Sequence, residues 1–150
     1  MSEDHIRYHR PLMDYIEYFE TMNSRSVPLI EKLAEIDIRF KDPFNDVRGL
    51  DAYQAVFEHM FSSVDNPKFT VKDFSWSQRA KGKNVAYLSW NFTATSRGKE
   101  IFVPGMSEVT FSPDYKVMEH IDYWDAATYF YEGLPVIGRV IRWIKSKLAI

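Results

Sequence analysis

The sequence predicts an α+β fold, with helices gathered before an antiparallel sheet and one more helix after it. Three observations predict this. Apolar residues recur at helical spacing through the first quarter of the chain. From residue 69 to 124 the pattern changes to alternation broken by turn residues. The order is then helix, helix, strand, helix and four strands, and helices segregated from a meander are the mark of the α+β class.

Each element follows from its residues. Residues 1 to 10 are polar and are expected to be loose. Pro11 suits a first helical turn, and Leu12, Tyr15, Ile16, Phe19 and Met22 carry a first helix to about Asn23. Ser24 and Ser26 offer caps for a second, short helix with Val27, Ile30, Leu33 and Ala34 on its stripe. Ile36 to Phe40 alternates as a strand, and Lys41-Asp42-Pro43-Phe44-Asn45-Asp46 ends it with turn chemistry. Gly49 leads a third helix whose apolar face is Tyr53, Val56, Phe57, Met60 and Phe61, while His59 falls off that face. Strands follow over 69–77, 85–95, 100–111 and 115–124. The second presents Ala86, Leu88, Trp90, Phe92 and Ala94 on one side. Ser96-Arg97-Gly98-Lys99 reads as a hairpin turn, and Pro104-Gly105 as a bend or bulge. A last helix over 134–150 has Ile137, Val140, Ile141, Ile144 and Leu148 on one stripe and Arg139, Arg142, Lys145 and Lys147 elsewhere. Its stripe is expected to dock on the domain rather than on a membrane.

Composition narrows the function. A chain of 150 residues suits one domain with a real core. A net charge of −2 argues against nucleic acid as a partner. The chain has no cysteine, which removes disulfides and thiol catalysis and fits a reducing, cytoplasmic setting. Met1 to His5 has no apolar run of a signal peptide, and no apolar run is long enough to span a bilayer. Aromatic residues make up 16% of the chain, a supply that suits a cavity lining or a dimer face.

The chemistry gathers on Glu119-His120-Ile121-Asp122-Tyr123-Trp124-Asp125. On a strand, His120, Asp122 and Trp124 share one face. An imidazole beside a carboxylate is an acid–base pair in which the carboxylate orients the ring. Asp122 has His120 and Arg39 as candidate partners. The same set would serve an edge strand with solvated charges, so the rest of the chain must decide.

Phe40-Lys41-Asp42-Pro43-Phe44, the Gly49-x-x-x-Tyr53 spacing and the closing Tyr123-Trp124 together resemble the nuclear transport factor 2-like superfamily, over roughly residues 11 to 125. That group includes ketosteroid isomerases and SnoaL-like polyketide cyclases. The resemblance implies a cone: a curved antiparallel sheet packed against three N-terminal helices around a cavity, here followed by the C-terminal helix. It implies Asp42 as general base and Tyr18 as an oxyanion donor, with Tyr15 as the fallback. Ser107 stands where the isomerases carry a protonated carboxyl, which argues against steroid isomerisation. The polar His120 and Asp122 lean towards the cyclases.

The expectation is therefore a SnoaL-like small-molecule-binding domain doing isomerase- or cyclase-type acid–base chemistry on an apolar, carbonyl-containing substrate. Asp42, His120, Asp122 and Tyr18 would be catalytic. Tyr15, Phe44, Phe57, Met60, Trp90, Phe92, Ser107 and Trp124 would bind the ligand. No cofactor and no metal is implied. A homodimer is expected through the sheet face that bears Tyr87, Ser89, Asn91 and Thr93. The alternative is a non-catalytic binding or dimerisation module of the same fold.

Overall fold

Ser2 begins the first helix by accepting a hydrogen bond from the His5 amide, so in the computed structural model, which describes residues 2–149, helix α1 spans Glu3–Thr21. The helix starts eight residues before Pro11, which lies inside it. Tertiary contacts order this expected loose end. His5 stacks on Trp76 at 5.0 Å, and the Tyr8 hydroxyl donates to the Ser112 carbonyl at 3.1 Å. The second segment, Val27–Lys32, is a 3₁₀ helix.

Strand β1 (Ala34–Lys41) leads through the short β2 (Asp46–Arg48) to helix α2 (Leu50–Ser63). Gly49 precedes that helix at φ 98°, a conformation only glycine adopts without strain. The meander is β3 (Asp65–Trp76), β4 (Asn84–Ser96), β5 (Lys99–Phe111) and β6 (Val117–Trp124). The hairpin at Arg97-Gly98 has positive φ at both residues, 50° and 75°, as a type I′ turn requires.

The six strands form one curved sheet in the order β2-β1-β6-β5-β4-β3, wrapped against α1 and α2 as a cone. It is not wholly antiparallel. Strand β1 pairs with β6 in parallel and sets Phe40 beside His120. Register shifts lie in β3, between β1 and β6, and near Phe111. The expected bulge at Pro104-Gly105 is absent, since Pro104 faces Asn91 and Gly105 faces Trp90 in unbroken register. Gly105 has a different use. The Trp90 indole lies over it, and a Cβ built there would fall 2.3 Å from the ring.

Beyond β6, helix α3 (Ala126–Tyr129) and a single 3₁₀ turn (Tyr131–Gly133) lead to α4 (Ile137–Leu148). The expectation that α4 docks its apolar stripe on the domain is overturned. Ile137, Val140, Ile144 and Leu148 are exposed, and the contacts come from the other side of the helix. Gly138 lies against the Glu132 carbonyl, and Arg142 donates to that oxygen at 2.8 Å. No helix among the described residues is long and apolar enough to cross a membrane.

Candidate acid–base site

Alternation along the strands aims Ser107 on β5 and His120 and Asp122 on β6 into the cone, with Leu88 and Trp90 beside them on β4. Helix periodicity brings Tyr15, Ile16 and Phe19 from α1 and Tyr53 and Phe57 from α2 onto the same space. His120 is 4% exposed and is ringed by Phe40, Phe19 and Tyr15 at centroid distances of 5.3, 5.6 and 5.7 Å.

A histidine buried this far must have its ring nitrogens satisfied. The Tyr15 hydroxyl lies 2.7 Å from His120 Nδ1 and 2.6 Å from the Tyr53 hydroxyl, which is itself 3.3 Å from Nδ1. On the other side, Nε2 lies 2.7 Å from Asp122 Oδ1 and 3.2 Å from Ser107 Oγ. Trp90 Nε1 donates to Ser107 Oγ at 2.8 Å, and Ser107 donates to Asp122 Oδ1 at 2.5 Å.

The proton positions follow from what each group can do. Indole N–H only donates, so Ser107 accepts from Trp90 and spends its one proton on Asp122. With Asp122 ionised its carboxylate only accepts, and Nε2–H of His120 donates to it. In a neutral ring Nδ1 is then an acceptor. It takes the Tyr15 proton, and Tyr15 accepts from Tyr53. Burial pushes both tyrosine hydroxyls well above their ordinary pKa, so both stay protonated and able to donate. The result is one relay, Tyr53 to Tyr15 to His120 to Asp122, with a branch from Trp90 through Ser107. Asp122 Oδ1 takes two hydrogen bonds. Among the described residues Oδ2 takes none.

Asp122 and His120 line a cavity of about 20 Å³ whose other walls are mostly apolar, with Phe19, Phe57, Phe69 and Trp90 among them. That is room for one water molecule. A larger open groove of about 500 Å³ lies elsewhere, around Ser2, His5, Tyr8, Lys81 and Tyr115, and it contains none of the relay. Among the described residues no three histidines or carboxylates converge as a metal site.

The other expected site residues lie apart. Asp42 closes a turn. Its Oδ1 accepts from the Phe44 and Asn45 amides at 2.7 and 2.6 Å, and it does not line the cavity. Tyr18 donates to the Val27 carbonyl at 2.9 Å, so it ties α1 to the 3₁₀ segment, and Tyr15 is the tyrosine that reaches the site. Phe44 packs on Trp124 and Phe130 at 5.2 and 4.9 Å, outside the cavity. Met60 and Phe92 pack against the core without lining the cavity. Arg39 pairs with Asp46 and Glu119, leaving Asp122 to His120 and Ser107. Tyr53 is the residue that sequence reasoning assigned only to a helix face. Its spacing from Gly49 was the available signal.

A model of the SnoaL-like domain matches residues 15–120. Among solved structures, one from Jannaschia sp. CCS1, named as a SnoaL-like polyketide cyclase, aligns with TM-score 0.70 and 12% identity over 85% of this chain and 92% of its own. The epoxide hydrolase/cyclase-like enzyme SalBIII, of pyran ring formation in the polyether salinomycin, gives 0.66 and 12% over 83% and 95%. A Catenulispora acidiphila DSM 44928 protein with a ketosteroid isomerase-like fold, in complex with trimethylamine, gives 0.66 and 12% over 83% and 93%. Comparison with curated proteins yields no match.

Proposed function

The chain belongs to the SnoaL-like domain family, and we propose that within it the chain works as an acid–base enzyme of isomerase or cyclase type with Asp122 as the base. One observation carries this reading. Asp122 lines an apolar cavity with Oδ1 fixed by His120 and Ser107 and Oδ2 unengaged. A carboxylate held in this way keeps one oxygen for orientation and has the other available for a proton. In the proposed reaction Oδ2 removes a proton next to the carbonyl of an apolar substrate. It returns that proton at a neighbouring atom in an isomerisation, or, in a ring closure, the carbanion attacks a second carbonyl carbon of the substrate and the proton passes to the alkoxide that forms. The role first expected of Asp42 passes to Asp122.

A cavity of about 20 Å³ does not hold such a substrate as it stands, since ligand pockets run to roughly 300–1,000 Å³. The apolar wall has to part for a ring or an acyl chain. The second reading, in which the relay is a polar core of a non-catalytic binding module, is the one that the test separates from the enzyme reading.

The test is deuterium incorporation. The protein is incubated in heavy water with a panel of small cyclic and acyl ketones, and exchange next to the carbonyl is followed by mass spectrometry. We expect enzyme-dependent exchange that Asp122→Asn lowers by about 10²-fold or more. Exchange unchanged in Asp122→Asn sinks the assignment. No exchange with any ketone, together with a tightly held co-purified ligand, selects the binding module.

Two further proposals accompany this one. The chain forms a homodimer through the outer sheet face, where Met106 and Tyr123 lie half exposed side by side and Phe102 lies half exposed further along β5. It works in the cytoplasm, a setting that its lack of cysteine fits.

A further inference from the structure

Helix α4 is amphipathic, and it is docked by the wrong side. At about 100° per residue, Ile137, Val140, Ile141, Ile144 and Leu148 form a stripe about 100° wide. In a helix that completes a core this stripe faces inward. Here Val140 is 51% exposed and Leu148 79%, while Gly138, Arg142 and Lys145 make the contacts, to Glu132 and Thr128.

The charges on the helix itself are all of one sign. Residues 134–150 hold four of the chain's 19 Lys+Arg and none of its 21 Asp+Glu. Lys145 and Lys147 fall on the two rims of the stripe, and Trp143, 62% exposed, stands just beyond the Lys147 rim. Val136, at 73% exposed, extends the apolar surface beyond the start of the helix. An apolar strip with Lys147 unpaired on one rim among the described residues, Lys145 paired to Glu132 on the other and an indole alongside complements a surface that is apolar beneath and anionic at its boundary. Lysine stems can lie along the apolar layer while the ammonium groups reach phosphates. The acidic remainder of the chain would be held off such a surface, so the helix must supply the attraction.

We propose that α4 is a peripheral anchor that lays its apolar stripe into the headgroup region of an anionic lipid membrane. The anchor stands independently of the acid–base site. It touches the membrane without crossing it and sets the cone beside the lipid.

The test uses the full chain with phosphatidylcholine vesicles and with vesicles containing about a third phosphatidylglycerol. We expect about tenfold or more stronger co-sedimentation with the anionic vesicles, weakened by salt. A blue shift of tryptophan emission should accompany binding and disappear in Trp143→Phe. Val140→Glu/Ile144→Glu should abolish binding, and Arg139→Glu/Lys147→Glu should remove the preference for anionic lipid. Both pairs lie outside the core and are expected to leave the thermal transition in place. Three results overturn the proposal: no preference for anionic vesicles, full binding by Val140→Glu/Ile144→Glu, or a fall in molar mass of that variant in lipid-free solution. The last would make the stripe an interface between copies of the chain.

Discussion

His120 has four polar neighbours within reach, yet its surroundings are aromatic, and that contrast makes each hydrogen bond in the site consequential. Tyr15→Phe removes the donor to Nδ1 and the acceptor of Tyr53. We expect a loss of about 1–3 kcal/mol of stability in urea denaturation. Tyr53 is 3.3 Å from Nδ1 and can take over the bond, so Tyr15→Phe/Tyr53→Phe should cost more than the two single changes summed. The tyrosines also set a pH dependence. Burial raises both pKa values in the fold, so the unfolded chain deprotonates first. Their contribution to stability is complete below the unfolded tyrosine pKa of about 10 and is lost as pH rises above it. The urea midpoint should fall over that range, and less steeply in Tyr15→Phe. At this scale the strand alternation was legible: residue parity put His120 and Asp122 on one face, while the inward direction of that face and the place of Ser107 came from the family resemblance. Asp42 was legible as a turn residue before Pro43, and it was the family resemblance that carried it into the site; its carboxylate is satisfied within the turn. Tyr53 hid because a tyrosine on a helix stripe counts as apolar until its hydroxyl finds a partner.

Among the elements, β4 and β5 depend on one close contact. Trp90 crosses Gly105 and hands its N–H to Ser107, so the orientation of Asp122 traces back to a glycine. Gly105→Ala places a methyl group inside the space of the indole. The ring must move, and overpacking of this kind costs about 1–3 kcal/mol. The variant should show a lower thermal midpoint together with the altered near-ultraviolet signal of a displaced tryptophan. An unchanged midpoint would contradict the contact. The sequence pointed to Pro104-Gly105 as irregular but implied a bulge, since a glycine read without its neighbours cannot distinguish a bent strand from a flat one crossed by a ring. Helix α4 taught the complementary lesson. Its period announces an apolar stripe, and the period is silent on which side meets the domain.

For the molecule as a whole, the parallel pairing of β1 with β6 closes the cone and brings Phe40 against His120. The α+β class and the order of elements were readable, because periodicity and turns are local. The parallel pair was not, because it joins residues some 80 positions apart. The outer sheet face carries the remaining prediction. Met106→Glu/Tyr123→Glu alters only exposed side chains on facing positions of β5 and β6. Light scattering should report a dimer for the unaltered chain and a monomer for the variant. A monomer in both would remove the dimer proposal and leave the acid–base site untouched.

The claim on which the acid–base site rests is that His120 holds its proton on Nε2 and gives it to Asp122. Nitrogen-15 NMR of the imidazole measures this directly in the resting protein. The relay predicts a protonated Nε2 in the wild type, and a loss of that pattern in Asp122→Asn. A bare Nε2 with the proton on Nδ1 would leave Asp122 with Ser107 as its one donor and contradict the assignment.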